Sequence, residues 1–87
     1  MNVIDAIRDH LAVLQPARLE ITDDSARHAG HAGAAGGGGH FNMTIVSPLF
    51  AGRPTISRHR MVYDALGAMM KHEIHAMSIN AKTPDEP

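Results

Sequence analysis

Apolar residues recur at helical spacing over the start of the chain, at Val3, Ile4, Ile7, Leu11 and Leu14, with Asn2 in front as a candidate cap and Pro16 just behind. This predicts an amphipathic helix of about three turns, one face of which must be covered by another layer. From Ala17 to Asp23 the period changes to two. Leu19 and Ile21 alternate with Arg18, Glu20 and Thr22, the pattern of a half-buried strand. Phe41, Met43 and Ile45 repeat that alternation. Beyond Ser47 and Pro48 comes a turn region, and Ser57 is then a candidate cap for a second helix that carries Met61, Val62, Ala65, Leu66, Met69 and Met70 and breaks near Gly67. A final alternating run, Ile74 to Ala81, places Met77 and Ile79 on one face and Ser78 and Asn80 on the other.

The order helix, strand, loop, strand, helix, strand predicts an α+β fold: a two-layer sandwich in which helices cover one face of a three-stranded mixed sheet. The first two strands should be antiparallel, and the third should join across a helical crossover. Residues 1–84 form a single domain in this reading, and the polar residues 85–87 are expected to be a disordered tail. The interval 24–39 holds six of the eight glycines and no large apolar side chain. It packs no core of its own, and a loop of that length in a compact domain is usually either functional or disordered.

Composition narrows the chemistry. The chain has 87 residues and no cysteine, so it supplies neither disulfides nor a thiolate. Lys and Arg total 8 against 9 for Asp and Glu, a net charge of −1 that would not by itself hold a polyanion. Met1 to His10 carries Asp5 and Arg8 among its apolar residues and reads as neither a signal peptide nor a membrane span, so the expected address is the cytoplasm. Seven residues are histidine, in a chain with one tyrosine, two phenylalanines and no tryptophan. Any soft-metal chemistry must therefore rest on imidazole.

Several segments carry a family likeness. His28-Ala29-Gly30-His31, Gly39-His40-Phe41, Ile45-Val46-Ser47, Phe50-Ala51-Gly52, Arg58-His59-Arg60-Met61-Val62-Tyr63 and Ile74-His75-Ala76-Met77-Ser78-Ile79 resemble, in order and spacing, the signature of BolA-like proteins. The likeness runs from the first helix to Thr83 and Pro84. It implies a class II KH-like (BolA-like) fold without the nucleic-acid-gripping loop of true KH domains. It also implies a partnership with monothiol glutaredoxins in iron–sulfur cluster trafficking or iron sensing. By position, the resemblance makes His31 and His75 the ligands of a [2Fe-2S] cluster shared with glutaredoxin and glutathione, with His28 as a substitute. Arg58, His59 and Arg60 would belong to the partner-docking surface. The run Gly36-Gly37-Gly38-Gly39 departs from the more polar stretch common among relatives and bears on the rigidity of the loop.

The residues on their own allow plainer roles. By strand parity His75 falls on the face of Met77 and Ile79, which reads as a partly buried structural histidine. His28 and His31 on a glycine-rich loop read as a solvated tract, or with His75 as an open zinc site. His40 shares the polar strand face with Asn42 and Thr44 and reads as structural or exposed, and His59 as a helix-terminal group packing on Tyr63. Two histidines without a thiolate do not hold a two-iron cluster alone, so none is expected in the isolated protein. A neutral imidazole is needed for ligation, and assembly should weaken below a pH of about 6 to 7. The protein alone is expected to be a monomer or weak homodimer.

The alternative is a KH-like DNA-binding transcriptional regulator of stress response and cell morphology, using Arg53, Arg58 and Arg60. Net charge and the few aromatic residues count against it. No nucleophile elbow, phosphate loop or paired-carboxylate pattern points to an enzyme.

Overall fold

Asn2 Oδ1 accepts a hydrogen bond from the Asp5 N–H at 2.8 Å and starts α1 (Val3–Leu11), as the sequence predicts. The computed structural model describes residues 2–24 and 39–87. The chain tightens into a 3-10 turn over Ala12–Leu14 and leaves it at Gln15, whose φ of 51° redirects the backbone toward Pro16. β1 (Arg18–Asp23) pairs antiparallel with β2 (Gly39–Val46), Leu19 opposite Ile45 and Ile21 opposite Met43.

A short 3-10 turn, Pro48–Phe50, leads to α2 (Thr55–Leu66). This helix begins before the expected cap: Ser57 lies inside its first turn and Pro54 stands at the cap position with φ −69°. Proline's ring fixes φ near the helical value and its absent N–H costs nothing at a helix start, so it outcompetes the serine. The helix stops at Gly67, where φ is +55°, and a 3-10 segment, Gly67–Lys71, carries the buried Met69. β3 (Ile74–Lys82) then runs parallel to β2, giving the sheet order β1-β2-β3. α2 supplies the crossover that a parallel pair requires.

The fold is thus the expected α+β arrangement, with Phe41, Met43 and Ile45 buried beneath Ile7, Leu11, Val62 and Leu66 of the helices. Asn42, Ser78 and Asn80 stand exposed on the opposite, open face. Ser47, fully buried at the exit of β2, joins the layers: its hydroxyl donates to the Leu14 carbonyl at 2.6 Å and accepts from the Leu49 N–H at 3.1 Å. Ser47→Ala should therefore lower unfolding stability by about 1–3 kcal/mol, since it strands a buried carbonyl. A urea midpoint equal to wild type would contradict this.

Candidate functional site

Because β2 and β3 run parallel, their leading ends lie side by side. Gly39 is opposite Ile74, but His40 is opposite Ala76, so β3 carries one extra residue, His75. This bulge resets strand parity. Ile74 and Met77, three positions apart, would otherwise face opposite sides, yet Ile74 is 1 % exposed and Met77 packs on the core. His75 is pushed out into solvent instead. The expectation that His75 shares the buried face of Met77 and Ile79 is corrected for this reason.

The His75 ring meets that of half-buried His40, with centroids 5.0 Å apart and planes inclined by 43°. Across the first ladder the Asp24 N–H donates to the His40 carbonyl at 2.7 Å, and the Asn42 amide donates to the Asp24 carboxylate. The ends of all three strands converge on this corner. Among the described residues no three His, Cys, Asp or Glu side chains gather closely enough to hold a metal ion. The described imidazoles that meet at this corner are those of His40 and His75.

His28 and His31 lie outside the described residues, as do two of the three members of the zinc alternative. The position of His40 beside His75 was not legible from its strand face. Gly39-His40 and Ile74-His75 each open a strand, and the parallel pairing of those strands brings the two together.

Arg58 is turned inward, with its side chain 13 % exposed. Nε donates to the Arg53 carbonyl at 2.8 Å, Nη1 to the Ala81 carbonyl at 3.0 Å, and Nη1 and Nη2 grip Glu86 at 2.6 and 3.0 Å. Its guanidinium is committed to partners within the chain. His59 is half-buried, whereas Arg53 and Arg60 are exposed and meet no carboxylate of the described residues. Ile56 and Tyr63, 68 % and 40 % exposed, lie on the same helix as Arg60 at i−4 and i+3 and add an apolar element to that surface.

The tail does not fray as expected. Thr83, itself buried, donates its hydroxyl to Asp85 and its N–H to Glu86, folding the chain back onto Arg58. The Arg58 hydrogen bonds, and next the Thr83 N–H, hold the Glu86 carboxyl down at about 2. A depressed carboxylate pKa contributes stability that is fully present above the ordinary value near 4.5 and is lost as pH falls through about 2. Acid titration followed by NMR should show the Glu86 carboxyl titrating near that low value, and Glu86→Gln should flatten the acid limb of the stability profile. A Glu86 midpoint above about 4 would contradict the latch.

No helix among the described residues is long and apolar enough to cross a membrane. Comparison with known proteins identifies the relatives. SufE-like protein 1 of Arabidopsis thaliana is 47 % identical over 78 residues, covering 84 % of this chain and 21 % of that protein. The DNA-binding transcriptional regulator BolA of Escherichia coli K12 is 34 % identical, covering 99 % of this chain and 80 % of the relative. The solved BolA domain of SufE1 from Arabidopsis thaliana superposes with a TM-score of 0.83 at 42 % identity, covering 100 % of this chain and 99 % of that one. The chain spans between 21 % and 56 % of the length of its first curated relatives. The family model for BolA-like proteins matches residues 11–86, and the chain belongs to that family.

Proposed function

We propose that the protein is a non-enzymatic partner that completes a [2Fe-2S] cluster held jointly with a monothiol glutaredoxin and glutathione. The observation that carries this reading is His75, set out of the sheet by a bulge and accessible to an incoming protein, with a second imidazole at 5.0 Å. A cluster bound in this way supplies electron transfer or a transferable iron–sulfur unit, and imidazole at one iron raises its potential relative to all-thiolate ligation. The chain's own contribution is to aim neutral nitrogen donors. A strand end holds His75 in a fixed direction, and the contact with His40 limits how far its ring can turn. His31, placed by resemblance, would be the second ligand, with His28 as its substitute, and His40 is a further candidate from the geometry.

The test is an anaerobic titration of cluster-loaded monothiol glutaredoxin with this protein, read by visible circular dichroism and by mass. Formation of a one-to-one complex with an altered cluster spectrum is expected. Additive spectra with no complex would contradict the proposal.

A second reading, DNA-binding regulation, draws on the name of the Escherichia coli relative and on exposed Arg53 and Arg60. With Arg58 committed to Glu86, the free cationic surface is smaller than the sequence suggests. DNA binding that weakens steeply with salt, and that is lost in Arg60→Ala, would favour this reading.

A further inference from the structure

Among the described residues the sheet has β1 and β3 as its two edge strands. On β3 the Lys82 carbonyl accepts from the Ser47 N–H at 2.9 Å, so Lys82 and its alternates turn their main-chain groups toward β2. Those of Met77, Ile79 and Ala81 therefore point out from the edge. Such groups are a template for strand addition unless something blunts them.

Each edge carries an arginine on the same transverse row, in which Leu19, Ile45 and Ala81 are register partners. Arg8 donates to the Leu19 carbonyl at 3.1 Å, and Arg58 to the Ala81 carbonyl at 3.0 Å. Arg8 lies in the open, but Arg58 is fixed by its grip on Glu86, which in turn holds the Thr83 N–H at 2.9 Å. The bulge at His75 distorts the other end of β3, which leaves Met77 to Ala81 as the stretch able to pair.

A second copy of this chain fits that stretch. With β3 set antiparallel to itself and Ile79 facing its counterpart, Met77 falls opposite Ala81, and the Met77 N–H of one copy needs the Ala81 carbonyl of the other. That is the carbonyl Arg58 occupies. On the open face Lys82 would fall opposite Ala76 and Asn80 opposite Ser78, with no like charges opposed. On the core face, half-buried Met77 and Ile79 would gain cover.

We propose that Arg58 and Glu86 form a guard on the β3 edge that holds the chain monomeric, and that opening the guard lets two copies join through β3 into one continuous sheet. Losing a charge-assisted pair of this kind should tighten self-association by about tenfold or more. Sedimentation equilibrium of wild type, Arg58→Ala and Glu86→Ala, with folding checked by far-ultraviolet circular dichroism, tests this. Both variants should shift toward twice the monomer mass at concentrations where wild type is monomeric. In the dimer the Met77 and Ile79 amides should become protected from hydrogen exchange. Adding Ile79→Pro, which removes an outward N–H and no ladder bond, should return the Glu86→Ala variant to monomer.

Glu86→Ala lies in the tail and serves as the folded test should Arg58→Ala fail to fold. Folded Glu86→Ala that stays monomeric like wild type would overturn the proposal. So would a dimer whose Met77 and Ile79 amides exchange as fast as in the monomer, or a wild type already paired through those amides.

Discussion

His75→Ala should abolish the change in visible circular dichroism produced when the protein meets a cluster-loaded monothiol glutaredoxin. The side chain is exposed, so removing it takes away a donor without opening a cavity, and the variant should unfold within about 0.5 kcal/mol of wild type. A full loss of the spectral change at unchanged stability is therefore a loss of ligation. His40→Ala separates the roles of the two rings. If His40 only braces His75, its removal should weaken the complex and leave the spectral shape intact. If His40 itself ligates, the shape should change. A His75→Ala variant with the full wild-type spectrum would refute the assignment and leave the fold untouched.

Phe50→Ala should produce the largest loss of stability. Phe50 is fully buried in the short turn that links the sheet to α2, and it heads the large side chains sealed in the core. Truncating a buried phenylalanine costs about 3–5 kcal/mol through lost transfer energy and the cavity left behind. A domain of this size has roughly 4–13 kcal/mol in total at 0.05–0.15 kcal/mol per residue. The denaturant midpoint should therefore fall sharply, with the slope of the transition unchanged. A loss below about 1 kcal/mol would mean that the turn collapses onto the core without strain and that its packing is not what fixes the entry to α2.

The alternation of Leu19 and Ile21, and of Phe41, Met43 and Ile45, was enough to read the strands and their buried face, because one-sided burial leaves a period of two in the sequence. The mixed sheet followed from the helix between β2 and β3. What escaped was set by long-range pairing. The bulge that expels His75 depends on the register between β2 and β3, and no local pattern around Ile74 announces it. The inward turn of Arg58 depends on Glu86, 28 residues away along the chain. Arg58-His59-Arg60 therefore read as a basic surface, although its first member closes the tail against the sheet edge. Likewise, the start of α2 was decided by the fixed backbone of Pro54 and not by the hydroxyl of Ser57.

The most direct measurement is of the bond from iron to imidazole nitrogen. In the reduced complex of glutaredoxin with this chain labelled with nitrogen-15 at histidine, pulsed electron paramagnetic resonance should show nitrogen-15 coupling to the cluster, and the His75→Ala complex should lose the share of it that His75 supplies. Identical spectra from labelled and unlabelled protein would mean that no histidine of this chain touches the metal.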